Sequence, residues 1–295
     1  MIGMGAIEQN GRVVLLTGAS SGIGLALARK LTGSTYRVVA TSRRNSIDKM
    51  RGELRAESEN LLVRSLDVTV REDRERVVGE IAKRWGGVDI LVNNAGISYR
   101  SVVEHMTTEE EQQQFAVNYF GPMALTRLVL PYMRSKRRGH IINVSSVSGM
   151  MAMPTMGAYS ASKFALEGAS EALWYEMRPW NIRVSLIQPG FVQSRSYKNV
   201  YKSKKSCEAL HDDKAYAAYY RTMGEFIERL MLLSWATPES IAEKIIKTMR
   251  QRHPKLRIPA TIDAHLFSII RRILPRNLYH WVLYSNLPEI KTWVK

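Results

Sequence analysis

Over its first 190 residues the chain alternates short runs rich in Val, Ile and Leu with longer amphipathic stretches. Short β-branched runs bounded by turn residues form strands, while apolar residues recurring every three or four positions form helices. Strands separated by helix-length crossovers pair in parallel, which disfavours both an all-helical bundle and an antiparallel sandwich. Strands are predicted at residues 12–16, 36–40, 61–66, 88–92, 140–144 and 182–186, and helices at 22–31, 71–85, 109–133 and 159–177. Six such units in series predict an α/β fold, a doubly wound parallel sheet with helices on both faces.

There is no internal repeat and no low-complexity linker, so one domain is expected over residues 1–260. Within it, residues 194–235 are rich in Tyr, Lys and Met with weak helical period and suit a substrate-loop insertion across the sheet edge. Thr237, Pro238 and Glu239 supply an N-cap, a first-turn proline and an acidic first turn, so a helix restarts there and runs to about residue 250. Residues 255–258 suit a last strand ended by Pro259. Residues 262–274 and 277–285, split by Pro275, suit two amphipathic helices and make 261–295 a C-terminal helical extension.

Hydrophobic residues at 45% and charged residues at 24% suit a folded globular chain and exclude disorder. Cys207 is the one cysteine, which excludes an intramolecular disulfide and a thiolate metal cluster; no metal site is expected. A reducing compartment follows, and no apolar run reaches the roughly 18–20 residues of a spanning helix or the shorter core of a signal segment. A cytoplasmic setting is therefore expected. The 43 basic and 27 acidic residues leave a charge of +16, suited to an anionic cofactor, a nucleic acid or an anionic membrane surface. The denser basic stretches at 134–138, 198–205 and 271–276 also suit solvated faces.

The residues Thr17-Gly18-Ala19-Ser20-Ser21-Gly22-Ile23-Gly24 follow the first strand and open the first helix. Glycines at such a junction allow a tight turn and close approach of backbone to a pyrophosphate, whose charge then meets the positive helix N-terminus. A plain strand-to-helix turn would use the same residues. About 20 residues further on, a NAD site usually places an acid on the adenosine ribose; here stand Thr41, Ser42, Arg43 and Arg44, and the nearest acid along the chain is Asp48. A guanidinium suits a 2′-phosphate, so Arg43, with Arg44 as a second candidate, predicts NADP(H).

Three Tyr-x3-Lys pairs occur, Tyr132/Lys136, Tyr159/Lys163 and Tyr201/Lys205. Four-residue spacing on a helix puts both side chains on one face, where an ammonium can stabilise a phenolate. Only Tyr159 opens a long amphipathic stretch with a strand-end serine, Ser146, 13 residues upstream. The other pairs are expected to be structural or surface features.

These motifs in this order resemble the short-chain dehydrogenase/reductase family, in its compact single-domain branch. The resemblance covers about residues 13–250 and rests on the 17–24 glycine turn, Asp67-Val68, Asn93-Asn94-Ala95-Gly96, Asn118, Ser145-Ser146, Tyr159-x3-Lys163 and Pro189-Gly190. The stretch 159–173 further resembles hydroxysteroid and retinol dehydrogenase-like members. The resemblance implies a Rossmann-like fold and hydride transfer between NADP(H) and a carbonyl or secondary alcohol. It makes Tyr159 the general acid or base and Lys163 the group that lowers its pKa and holds the nicotinamide ribose. Ser146 would hydrogen-bond the substrate oxygen, and Asn118 would support a water linking Lys163 to solvent. Cofactor contacts are implied for Gly18, Ser20, Ser21, Gly22, Ile23, Gly24, Asp67, Val68, Asn93, Asn94, Ala95, Gly96, Pro189, Gly190 and Val192. Ser194 stands where many members carry threonine against the nicotinamide carboxamide, and its hydroxyl is implied to make the same hydrogen bond to the cofactor. Asn93, Asn118 and Asp67 could instead tie loops and turns.

Aromatic and Met-rich stretches at 98–106, 150–156 and 191–233 suit a roomy apolar pocket and hence a lipid, steroid or retinoid-like substrate. A homodimer or homotetramer is implied by the family. From another class, the charge and the C-terminal segment suit a basic membrane-surface protein that binds NADP with little or no catalysis. The C-terminal helices could equally cover the pocket or form a subunit interface. No nucleic-acid-binding signature accompanies the charge, so specific nucleic-acid recognition is not expected.

Overall fold

The structure is a computed structural model that describes residues 11–54, 57–193, 200–209 and 215–293. Its strands are β1 (Val13–Leu16), β2 (Arg37–Ser42), β3 (Leu61–Ser65), β4 (Ile90–Asn93), β5 (Tyr99–Arg100), β6 (Gly139–Val144), β7 (Ile182–Gln188), β8 (Tyr201–Lys202) and β9 (Arg257–Pro259). Seven form one sheet in the order β3-β2-β1-β4-β6-β7-β9, every neighbour parallel. This is the Rossmann-like order, and the chain reverses its direction of winding between β1 and β4. Ligands in such sheets bind beyond the carboxyl ends of the strands at that switch point.

Both faces of the sheet are covered, which is why its strands are apolar runs rather than alternating ones. Val14 and Leu16 of β1 pack under α1 (Gly22–Leu31), α2 (Ile47–Leu54) and the later helix α9 (Pro238–Arg250). Val13 and Leu15 point the other way, into a second core with α3 (Arg71–Trp85), α5 (Gly121–Ser135) and α6 (Gly157–Met177). Helix α2 was not expected: only Ile47, Met50 and Leu54 of its eight residues are buried, too few positions to make a visible period.

The single helix expected at 109–133 is broken. A Thr107–Glu110 capping box starts α4 (Thr108–Phe115), a π-helical turn spans Ala116–Phe120, and α5 follows with Pro122 in its first turn. The wider turn carries Asn118, which is buried. Residues 194–235 also depart from the expectation of weak helicity. Beyond α7 (Lys204–Ala209), helix α8 (Ala217–Leu233) runs 17 residues, with Met223 and Ile227 buried beside Met156 and Trp293. Its apolar positions mix Tyr, Met, Phe, Ile and Leu and are interleaved with Arg and Glu, which blurs the period. Strands β5 and β8 pair in a separate parallel ribbon, Tyr99 opposite Tyr201, and are too short to announce themselves.

The two C-terminal helices, α10 (Ile262–Ile273) and α11 (Arg276–Ser285), form as expected. Their inner faces, Phe267, Ile270, Leu274, Tyr279 and Leu283, pack on Val147, Met150 and Met151 just beyond β6. No helix among the described residues is long and apolar enough to cross a membrane.

Candidate active site

At the end of β1 the chain turns through Gly18 and Gly22, both at positive φ (69° and 53°), and enters α1. Thr17 organises this turn. Its Oγ1 accepts from the backbone amides of Asn94 and Ala95, each at 3.0 Å, and the Asn94 side-chain amide donates to the Thr17 and Gly18 carbonyls, also at 3.0 Å. A Cβ at Gly24 would stand 2.1 Å from the Gly18 oxygen, so only glycine lets α1 start so close to the turn. Ser21 gives α1 no side-chain cap, and Ser20, Ser21, Gly22 and Ile23 face a cleft of about 930 Å³. That cradle of backbone at a helix N-terminus fits a diphosphate.

The cleft runs along the carboxyl edge of the sheet. Arg43, Asp67 and Val68 line one end; Asn94, Ala95 and Gly96 line the middle; Pro189, Gly190 and Val192 lie across from them. A second hollow adjoins it, bounded by Arg43, Arg44, Asp67, Asp73 and Arg76. Two acids distant in sequence thus reach this end, yet both are engaged. Asp67 Oδ1 accepts from the Thr69 amide and hydroxyl (2.9 and 2.7 Å), and Asp73 accepts from Arg76 and the Asp67 amide (2.7 and 2.9 Å). Although burial opposes it, the Asp67 amide together with Arg76 and Arg44 holds the Asp73 carboxyl below its usual range.

Asn93 departs from the expectation that it lines the cleft. It is buried, and its amide donates to Asn143 Oδ1 at 2.8 Å, one strand deeper. Ser194 lies outside the described residues. Sequence reading also missed what holds Gly190: its amide donates to Thr261 Oγ1 and the Phe191 amide to Asp263 Oδ2, both at 2.9 Å. The N-terminus of α10 therefore clamps this wall of the cleft. Thr261 caps α10 by accepting from the Ala264 amide at 3.3 Å, and nothing local in the sequence says that this helix start meets Gly190.

Ser146, Tyr159 and Lys163 line the same cleft. Ser146 leaves the end of β6 and its Oγ accepts from the Ser148 amide at 3.1 Å. Tyr159 and Lys163 lie one turn apart near the start of α6, with Lys163 Nζ 5.8 Å from the Tyr159 ring centroid. Burial pushes the Tyr159 phenol above its usual range, while a hydrogen bond with Ser146 and the charge of Arg100 pull it down. Lys163 is buried, donates to the Val144 carbonyl at 2.9 Å, and has its pKa lowered to about 8 by desolvation, opposed by the carboxylate of Glu167. Asn118 holds Ile97 from both sides, accepting from its amide and donating to its carbonyl (2.9 and 3.0 Å), and donates to Ser162 at 3.1 Å.

Of the two competing pairs, Tyr132/Lys136 stands away from the cleft, whereas Tyr201 of the other departs from the expectation of a purely structural or surface pair. Tyr132 packs in the core against Gly87, and Lys136 pairs with Asp89 at 3.3 Å, ahead of β4 at the opposite edge of the sheet. Tyr201 joins the cleft wall on β8, its ring tilted 36° to that of Tyr99 with centroids 5.3 Å apart, while Lys205 is exposed on α7.

A family pattern described as short chain dehydrogenase matches residues 12–205. The chain belongs to this family. The 3-ketodihydrosphingosine reductase of Bacteroides thetaiotaomicron is 35% identical over 92% of this chain and 96% of its own. Bovine retinol dehydrogenase 8 is 34% identical over 83% of this chain and 80% of its own. A solved short-chain dehydrogenase from Streptomyces avermitilis superposes with a TM-score of 0.76, at 31% identity and covering 94% and 98% of the two chains. A serine dehydrogenase solved with NADP+ superposes at 0.67, with 27% identity over 84% and 93%. The protein is thus an oxidoreductase of the short-chain family that uses a nicotinamide dinucleotide.

Proposed function

We propose that the protein is an NADP(H)-dependent short-chain dehydrogenase/reductase that interconverts a hydrophobic ketone or aldehyde and its alcohol. The observation that carries this reading is the convergence of Ser146, Tyr159 and Lys163 on the cleft that begins at the glycine cradle. When bound, the dinucleotide supplies or accepts the hydride. Around it, Gly18 to Gly24 would hold the diphosphate, with Asp67 and Val68 at the adenine and Asn94, Ala95 and Gly96 along the middle. Pro189, Gly190 and Val192 would form the nicotinamide wall.

In reduction, the carbonyl oxygen gathers negative charge and is met by donors from Ser146 and Tyr159. Tyr159 gives up its proton, and the buried Lys163 ammonium offsets the phenolate that remains. Asn118 fixes the segment at Ile97 and would support a water path from Lys163. Positioning of the substrate supplies the rest of the acceleration.

Preference for NADP rests on Arg43, with Arg44 and Arg76 around a hollow whose two acids are already engaged. The apolar substrate class rests on Met153, Met156, Phe191, Ile227 and Met231, which line the cleft beside Tyr159. The unit up to residue 260 would carry catalysis, with 194–235 as its substrate loop and 261–295 as an extension over the site. Phe120, Phe164 and Tyr175 are exposed; a homodimer or homotetramer would cover them. The reading of a membrane-surface protein without catalysis is disfavoured, because all four positions of the catalytic set are filled. The test is oxidation of NADPH against a panel of hydrophobic ketones and aldehydes. Turnover of at least one is expected, and silence across the panel with NADPH bound would favour the non-catalytic reading.

A further inference from the structure

Arg100 ends β5, lines the cleft that holds Tyr159 and Ser146, and is partly buried. Its Nη1 is enclosed and has no hydrogen-bond partner among the described residues. Two positions earlier, Ser98 Oγ lines the same cleft and is likewise buried without a partner. Ser98 immediately precedes β5, and both it and Arg100 line the cleft. The residue between them points elsewhere: Tyr99 donates its hydroxyl to Gln113 Oε1 at 2.6 Å and its ring contacts that of Tyr201 at a tilt.

The only acid lining this cleft among the described residues is Asp67, at the adenine end and tied to Thr69. The same cleft is lined by Met153, Met156, Phe191, Ile227 and Met231, and Ser101, next to Arg100, forms a bridge with Met156. Burial pushes the guanidinium below its usual pKa, with Tyr159 opposing. A guanidinium kept among apolar side chains without a counter-charge carries a desolvation penalty that an incoming anion relieves. Its fork of donors suits the oxygens of a carboxylate or phosphate.

We propose that Arg100, assisted by Ser98, recognises an anionic oxygen group, carboxylate or phosphate, carried near the reacting carbonyl of an otherwise apolar substrate. This rests on the carbonyl-reductase reading and deepens it: the substrate is an acidic lipid, and a protonated amine placed at the same point is repelled.

The test uses full-length protein saturated with NADP+. Dodecyl phosphate, dodecanoate and dodecanol are titrated calorimetrically into wild type, Arg100→Met and Arg100→Lys. At least one anion is expected to bind about 10-fold or more tighter than the alcohol, an advantage of the size one charge-assisted pair supplies. That advantage should vanish in Arg100→Met and return in part in Arg100→Lys; which anion wins tells phosphate from carboxylate. Equal binding of all three by wild type, or an anion preference that survives Arg100→Met, overturns the proposal. If Arg100→Met does not fold, the wild-type comparison still decides, since no anion advantage there is sufficient to overturn it. Reduction of 3-oxododecanoate is measured beside that of its methyl ester. Failure of both to be reduced while the anion preference holds counts against the reductase reading and leaves the Arg100 assignment standing.

Discussion

The Lys163 ammonium sits 5.8 Å from the centroid of the Tyr159 ring while donating to the Val144 carbonyl at 2.9 Å. The bond to β6 anchors the cation at the strand end that also presents Ser146, so helix α6 and the sheet edge share one set of constraints. Tyr159→Phe removes the transferable proton and little else. Turnover is expected to fall by at least about 10²-fold with NADPH affinity kept, as loss of a general acid does. Tyr132→Phe, in the core at the far edge, should leave turnover near wild type; the reverse pattern would assign the chemistry to the other pair.

Glu167 gives the pH dependence a handle. It is buried, accepts from Gln188 Nε2 at 2.7 Å and Arg257 Nε at 3.0 Å, and its charge raises the Lys163 pKa against the desolvation that brings it to about 8. Reduction needs Lys163 charged and Tyr159 protonated, so kcat/KM falls as pH rises through the lower of the two. Glu167→Gln removes the supporting charge, and the falling limb should move to lower pH. A limb that stays in place, measured at constant NADPH saturation, would show that Lys163 does not govern it.

Arg43 is exposed at the mouth of the hollow that Arg44, Asp67, Asp73 and Arg76 complete. One charge-assisted contact with a 2′-phosphate is worth about 1.5 to 3 kcal/mol, or roughly 10- to 100-fold in affinity. Arg43→Glu should erase that margin of NADPH over NADH in titrations of both. Equal affinities in wild type would count against the assignment.

Gly24→Ala tests the cradle by sterics alone. The added methyl would meet the Gly18 carbonyl at 2.1 Å and the Asn94 amide at 2.5 Å, both part of the turn. Overpacking of this kind costs about 1 to 3 kcal/mol. The expected result is a lower Tm and cofactor affinity reduced at least about 10-fold, by the same arithmetic.

Much of this site was legible because its parts are local. A glycine turn, a Tyr-x3-Lys pair and an arginine after a strand each carry their chemistry within a few residues, and parallel strands place them on one edge. What escaped was either short or distant. Helix α2 buries three side chains, and the π turn at 116–120 looks helical in any periodicity. The Asp263 clamp on Phe191 joins residues 72 apart. Asn93 and Asn94 are neighbours, yet one ties strands in the core and the other braces the glycine turn, because alternate strand positions face opposite ways. Arg100 carries no local signal, since only the fold shows that its Nη1 is enclosed without a hydrogen-bond partner among the described residues.

The extension beyond residue 260 carries an unspent apolar face. While the inner side of α10 packs near the site, Ile262, Leu266, Ile269 and Ile273 form a stripe at spacings of four, three and four, each more than half exposed. Trp281 and Tyr284 on α11 and Trp235 before α9 are exposed as well, and Arg271, Arg272 and Arg276 are exposed on the same two helices. An apolar stripe flanked by arginines suits the interface of an anionic bilayer, where each basic residue contributes about 1 kcal/mol and salt screens it. Flotation of the full-length protein with anionic liposomes is therefore expected, weakened at high salt and in Arg271→Gln/Arg272→Gln/Arg276→Gln. Leu266→Glu/Ile269→Glu should abolish it without changing turnover of a soluble ketone. If instead these two substitutions leave flotation untouched but lower the oligomeric mass, the stripe is a contact between subunits. Unchanged mass and unchanged lipid binding in both variants would rule out either use of this face.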